Sequence, residues 1–433
     1  MTPSARLQAV LDLLEEIETT PRPADALVSA YFRARRYIGS KDRAYASTTL
    51  YDVLRHHARF TWWLEQKTNT QPSPRARLLA YLTLVQEKAP EQIAELFNGS
   101  KFSPSRLDKN EEALLHKLKS HTVEHPSMPD EIKVECPDWA VLPLQQRFGK
   151  NFIREMQALL EPALLDLRIN PLKTSRDDIL KELKAMDIKA EACTLSPWGI
   201  RIQDRPSLAA LPMLKNGLVE IQDEGSQLAA LLVDAKPGQR VMDFCAGAGG
   251  KTLAIAAQMK NKGRITACDV LGGRLKRSAE RFRRAGLHNI ETRILKNEND
   301  PWLKRHKASF DRVLVDAPCS GTGTWRRNPD SRWRSLGPGL KKLLELQANI
   351  LKSAARLVKP DGHLIYATCS LLPEENEGQI EKFLTNYSDF QAINCHEILA
   401  NLPLGKQGIS AYLSLTPLQH KTDGFFGAVL KKS

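Results

Sequence analysis

Little in this 433-residue sequence suits a secreted or membrane-bound chain. Met1-Thr-Pro-Ser-Ala-Arg-Leu7 has no apolar h-region, so no signal peptide is expected. No run of about 18 apolar residues is present to cross a bilayer, so no membrane partner is expected. The seven cysteines, at 136, 193, 245, 268, 319, 369 and 395, are odd in number and never spaced C-x-x-C. That pattern argues against a disulfide framework and against a metal site, and fits free thiols in a reducing compartment, the cytoplasm. Acidic residues are outnumbered: Asp plus Glu is 50 against 63 for Lys plus Arg, a net charge of +13. A surface this basic points to a polyanionic partner, most simply nucleic acid, with a generally solvated basic surface as the plain alternative. With 42% hydrophobic and 26% charged residues the rest is ordinary for a soluble protein, and the length suits about three domains.

Residues 1–130 read as all-helical. Leu7, Val10, Leu11, Leu14 and Ile17 recur at helical spacing, Ser40 is a candidate N-cap, and Pro72, Pro74 and Pro90 mark breaks. Arg33, Arg35, Arg36, Lys41, Arg43, Arg55 and Arg59 make this part basic, and Trp62 and Trp63 read as buried aromatics rather than base-stacking ones. Pro126, Pro129 and Pro137 sit in a polar linker. A small α+β module is expected over 138–217: helix to about Leu160, strand 164–169, helix 175–186, and two short strands at 188–193 and 199–202. From 218 to 433 strands alternate with helices, the signature of a parallel sheet.

That last part turns on Val241-Met-Asp-Phe-Cys-Ala-Gly-Ala-Gly-Gly-Lys-Thr252, which reads as strand, acid, glycine-rich turn and helix start. In an open α/β sheet, ligands gather beyond the carboxyl ends of the strands. Here those ends carry Asp243, Asp269, Asn297, Asp316 and Cys369. A phosphate loop would need a glycine where Cys245 stands. A dinucleotide loop would need a glycine or alanine where Thr252 stands. The third reading is an S-adenosylmethionine site, with Asp269 on the ribose hydroxyls. Asp316-Ala-Pro-Cys-Ser-Gly-Thr-Gly323 and Ala367-Thr-Cys-Ser370 each put a cysteine just past a strand, in surroundings rich in backbone donors. A lone cysteine there is usually core, but two in one sheet are harder to dismiss, because a thiolate near cations or a helix N-terminus is a strong nucleophile. Arg274, Lys276, Arg277, Arg281, Arg283 and Arg284 lie on one helix, read equally well as a solvated face or an RNA contact. The stretch Trp325-Arg-Arg327 to Arg332-Trp-Arg334 reads as an RNA contact.

Together the glycine loop, the Pro-Cys motif and the Thr-Cys motif, in this order, resemble the Sun (Fmu) family of RNA 5-methylcytosine methyltransferases, over about 160–433. Tyr37-Ile-Gly-Ser-Lys-Asp-Arg43 and its helical surroundings more loosely resemble the NusB-like RNA-binding domain of the family's bacterial ribosomal RNA branch, and Arg168-Ile-Asn-Pro-Leu-Lys173 matches the opening of its methyltransferase part. The resemblance implies a Rossmann-like S-adenosylmethionine-dependent domain at 218–433, preceded by the α+β module and the helical domain. It implies methylation at C5 of a cytosine in RNA, expected to be ribosomal; a monomer is expected. Alternatives are a transfer RNA substrate or a non-catalytic assembly factor; the second would be marked by loss of the nucleophile or the loop, and both are present. It implies Cys369 as the nucleophile that adds to C6, Cys319 as the group assisting elimination, and Asp316 on the cytosine edge. Cys245, Ala246, Gly247, Ala248, Gly249, Gly250, Lys251, Asp269 and Asp316 are implied to line the cofactor. Asn297 stands where the family usually has an adenine-binding Asp; its amide oxygen can still accept from an amino group.

Overall fold

A computed structural model describes residues 1–204, 211–334, 336–400 and 411–433. The stretch 205–210 of the expected α+β module lies outside the described residues. By packing, the chain forms two compact units that do not follow chain order. The first is Met1–Glu161 together with Trp325–Gly337; the second is Pro162–Thr324 with Pro338–Ser433.

The first unit is helical. Its opening helix, Pro3–Thr19, is capped by the Thr2 hydroxyl, which accepts from the Ala5 amide at 3.2 Å. The helix buries Leu7, Val10, Leu11, Leu14 and Ile17, the stripe that the spacing anticipates. Helix Ser40–Arg55 departs from expectation at its start: Gly39 is the cap, and no side chain caps it. Asp42 in its first turn binds Arg6 and the chain's amino terminus. Trp63 is buried, its indole N–H donating to the Val123 carbonyl at 2.9 Å, so the core reading holds there. Helices Asp138–Phe148 and Phe152–Ala158, at the start of the expected module, pack within this unit. The reason is visible at their end: the Leu159 carbonyl accepts from Arg332 at 2.7 Å.

The second unit contains two sheets. The smaller has strands β1 (Leu165–Ile169), β2 (Ala190–Ala192), β3 (Gly199–Ile202) and β4 (Val219–Ile221), ordered β2-β3-β1-β4 and all antiparallel. Helix Arg176–Ala185, capped by Ser175, lays Ile179 and Leu183 on Leu167, Ile169, Ile200 and Ile202. Placing 219–221 at the start of the methyltransferase part needs correcting. The backbone of β4 finds its ladder on β1, with Leu167 opposite Ile221.

The larger sheet is built on β5 (Arg240–Asp243), β6 (Arg264–Asp269), β7 (Ile290–Ile294), β8 (Phe310–Asp316), β9 (Val358–Thr368), β10 (Phe390–Ile393), β11 (Leu413–Leu415) and β12 (Phe425–Lys432). The order is β10-β12-β9-β8-β5-β6-β7, with β11 also on β12. Strands β7 to β9 of that path run parallel, and β10, β11 and β12 join antiparallel. Helices cover both faces, as the near-continuous apolar runs Val313-Leu-Val315 and Leu364–Ala367 require. From β5 the chain first goes to β6 on one side and later returns to β8 on the other. A crevice opens where the order reverses, at the carboxyl ends of β5 and β8.

Candidate active site

The glycine loop fills that crevice. Gly247 and Gly249 have φ of +55° and +80°, a left-handed backbone that glycine adopts without strain. They serve different ends. A Cβ at Gly249 would stand 2.6 Å from the Phe282 ring, so this glycine lets helix Gly272–Ala285 close against the loop. A Cβ at Gly247 would meet nothing within 4 Å, so this glycine borders open space. Behind the loop, the buried Arg168 donates to the Gly250 carbonyl at 2.6 Å and to the Gln222 side chain. Arg281 donates to the Ala248 carbonyl and pairs with Glu220 at 2.9 Å.

Carboxylates at the strand ends have separate tasks. Asp269 accepts from the amides of Gly247 at 2.8 Å and Leu271 at 2.7 Å, so it shapes the turn as well as facing it. Asp243 is buried and accepts from the Thr252 hydroxyl at 2.6 Å, while its second oxygen has no hydrogen-bond partner among the described residues. Burial pushes its pKa up to about 7, against the opposing pull of the Thr252 hydroxyl. Asp316 binds the Lys251 ammonium at 2.7 Å. Burial disfavours the charge on Lys251, but Asp316, Cys369 and Asp243 outweigh it and hold the ammonium protonated above its ordinary range. The same ammonium sits 5.3 Å from the centre of the Phe425 ring.

The two cysteine motifs converge. Cys319 and Cys369 are 50 positions apart in sequence, and their Sγ atoms are 3.5 Å apart, both as free thiols. Hydrogen bonding to Cys369, burial and the charges of Cys369 and Glu375 hold the Cys319 thiol well above its ordinary range. The loops are locked around them. The Gly323 amide donates to the Cys369 carbonyl at 2.9 Å, and the Gly424 amide to the Gly323 carbonyl at 2.8 Å. A Cβ on Gly323 would lie 2.2 Å from the Gly424 oxygen, so both glycines are there for close approach. The Thr322 hydroxyl accepts from the Leu371 amide at 2.7 Å.

Of the residues singled out from sequence, the structure brings Lys251, Asp316, Cys319 and Cys369 together, with Gly247 and Asp269 joined by a hydrogen bond in the glycine loop. Cys245 is half-buried against the core, and burial first, then the neighbouring carboxylates, keeps it a thiol. Asn297 lies exposed past β7, and its Oδ1 accepts from the Asn299 amide at 2.9 Å within its own turn. Reading 325–334 as an RNA contact needs correcting: Trp325, Arg326 and Arg332 are buried in the helical unit. Sequence reasoning missed Glu375, Asn376 and Gln347, all buried beneath the cysteine loops. The only hint was Pro373-Glu-Glu375, which reads as an ordinary first turn with its acids facing a helix dipole.

Comparison with known proteins decides the assignment. Residues 230–431 match the family described as 16S rRNA methyltransferase RsmB/F, and 136–208 match a ferredoxin-like domain of RsmF/B-like methyltransferases. The chain is 32% identical, over 99% of its length and 100% of the relative's, to the probable ribosomal RNA small subunit methyltransferase B of Synechocystis. It belongs to the RsmB/F family of methyltransferases. A Bacillus subtilis protein described in the same words is 33% identical over 68% of this chain and 66% of its own. Among solved structures, a methyltransferase homolog from Pyrococcus horikoshii superposes with a TM-score of 0.60 at 28% identity, covering 72% of this chain and all of its own. The crystal structure of PH0851 shares the fold along 100% of this chain and 99% of its own, at a TM-score of 0.81 and 24% identity.

As an RsmB/F methyltransferase the protein uses S-adenosylmethionine, and the residues present fit it. The open space beside Gly247 is a cradle that a side chain would fill. The unpartnered Asp243 oxygen and the Asp269 carboxylate are acceptors suited to an amino acid's ammonium and a ribose's hydroxyls, and no phosphate needs accommodating.

Proposed function

We propose that the protein methylates C5 of a cytosine in small-subunit ribosomal RNA through a covalent adduct on Cys369. The observation that carries this reading is the thiol pair, 3.5 Å apart, at the same sheet edge as the Lys251–Asp316 ion pair and the glycine loop. C5 of cytosine is a poor nucleophile. When the Cys369 thiolate forms a bond to C6, the ring becomes an enamine and C5 gains the electron density to attack an electrophilic carbon. Bound S-adenosylmethionine supplies that carbon as its methyl group. Residues 245–251, Asp269, Asn297 and Asp316 would hold it; Asp316 would also hold the cytosine edge, kept in place by Lys251. Cys319, after releasing its own proton to water, takes the C5 proton. The C5=C6 bond then closes, the C6–S bond breaks, and its electron pair returns to Cys369. The target base must leave its stack to enter. The helical unit and the small antiparallel sheet β1–β4 with its helix are the parts we assign to gripping RNA, together with the exposed Arg274, Lys276, Arg277 and Arg283.

The test is methyl transfer to ribosomal RNA transcripts. Cys369→Ala should abolish transfer while S-adenosylmethionine binding persists. Cys319→Ala should instead accumulate a protein–RNA adduct that survives a denaturing gel. Full activity in Cys369→Ala would remove the covalent route. Bisulfite sequencing of ribosomal RNA from a strain lacking the protein would identify the cytosine, and an unchanged pattern would sink the substrate assignment.

A further inference from the structure

Glu375 is a buried carboxylate beneath the thiol pair. It ends the short turn Pro373–Glu375, and the next residue, Asn376, breaks the helical path at φ −110° and ψ −103°. The turn therefore aims the side chain inward instead of along a helix surface. Burying a carboxylate is costly unless donors compensate. Here both oxygens are engaged. One accepts from the Ser320 amide at 2.8 Å and the Gln347 side chain at 2.9 Å; the other accepts from the Ser320 hydroxyl. The Gln347 amide also donates to the Pro318 carbonyl at 2.9 Å. Cys319 is thus gripped on both flanks, through Pro318 and Ser320. Asn376 grips the neighbours of Cys369 in the same way: it bonds the Thr368 hydroxyl and donates to the Ser370 carbonyl at 2.9 Å. Two consecutive residues tie the two cysteine loops together.

We infer that Glu375 is a positioning residue for the elimination step: it holds Cys319 against Cys369, so that the sulfur that takes the C5 proton stands beside the one whose bond to C6 must break. The inference rests on the role given to Cys319 above. It separates Glu375 from general support of the fold, because Asn376 and the β9 end would still present Cys369 without it. Its charge also helps keep Cys319 protonated while Cys369 is the free nucleophile. Once Cys369 is bonded to carbon, its charge no longer opposes ionisation of Cys319.

The experiment follows single turnovers of the full chain on a ribosomal RNA transcript, reading adduct formation and adduct resolution separately, with S-adenosylmethionine affinity as a third measurement. Glu375→Ala should slow resolution by about 10²-fold, as misplacing a reacting group does. Adduct formation and cofactor affinity should change far less, so adduct accumulates. Glu375→Gln, which keeps the shape and one acceptor, should restore most of the rate. Should Glu375→Ala not fold, Ser320→Ala removes only the hydroxyl contact and should show the same imbalance, smaller. Equal slowing of formation and resolution, or no change in either, overturns the inference. Cys319→Ala tells the failures apart. If it accumulates adduct and the Glu375 variants do not, only the assignment to Glu375 falls. If it accumulates none, the role of Cys319 falls and this inference with it.

Discussion

Two arginine-rich stretches look alike in the sequence and have opposite fates. In helix Gly272–Ala285, Arg274, Lys276, Arg277 and Arg283 stand exposed, and Arg281 and Arg284 pair with a carboxylate, both with Glu220. In 325–334 the guanidinium of Arg332 is buried. It donates to the Glu135 carbonyl at 2.9 Å and the Leu159 carbonyl at 2.7 Å, closing the ends of two helical segments. Its ring neighbour Trp325 is fully buried, 5.0 Å from the guanidinium. Trp333 stacks on His57 with centroids 5.2 Å apart, and Arg334 pairs with Asp330 at 2.8 Å. Interleaved Arg and Trp describe a stacking surface for bases, and equally a plug that satisfies orphan carbonyls inside a helical bundle. What separates the two is whether carbonyls without partners await the arginine, and that is a property of distant chain.

The contrast is sharpest at Arg332. Arg332→Ala leaves two helix-end carbonyls unsatisfied in a buried place, and should destabilise the helical unit by about 3 kcal/mol. Thermal melting with hydrogen exchange over 1–161 would read this. A variant that melts normally but binds RNA more weakly would reverse the comparison. Arg281 stands between the two cases, half-buried and bracing the Ala248 carbonyl. Arg281→Ala should weaken S-adenosylmethionine binding about fivefold, the loss of about 1 kcal/mol from the loop's support, with melting little changed; calorimetric titration would measure it. The smallest expected effect is at Arg277. Arg277→Ala should leave stability within about 0.5 kcal/mol and lower the salt dependence of RNA binding by about one counterion. An unchanged salt slope would return this helix to the status of a solvated face.

The parts of the fold that local pattern controls were legible. Apolar strands ending in an acid or a cysteine announced β5, β6, β8 and β9, and the glycine loop gave away the crevice. Lys251, Asp316, Cys319 and Cys369 could be named because their motifs sit at strand ends, where topology alone brings them to one edge. Glu375 could not. Its inward turn depends on the backbone break at Asn376, and Pro373-Glu-Glu375 is an equally good start for an uninterrupted helix. The place of 219–221 was hidden for a similar reason: three residues fit either sheet, and only the free edge of β1 chose between them. Arg168 carried a recognisable motif, but its task, bracing Gly250 from another sheet, is set by tertiary packing.

The return of 325–337 to the helical unit has a consequence for the order in which this protein is made. The amino-terminal unit cannot complete itself when its first 161 residues leave the ribosome, because Trp325 and Arg332 are still unmade. At typical synthesis rates of roughly 5–20 residues per second, its interior stays open for about 10–35 s, while every strand from β1 to β8 is produced. A nascent chain halted before residue 325 should therefore expose the surface that Trp325 fills, and trimming the gene from its 5′ end would leave that tryptophan stranded in whatever remains.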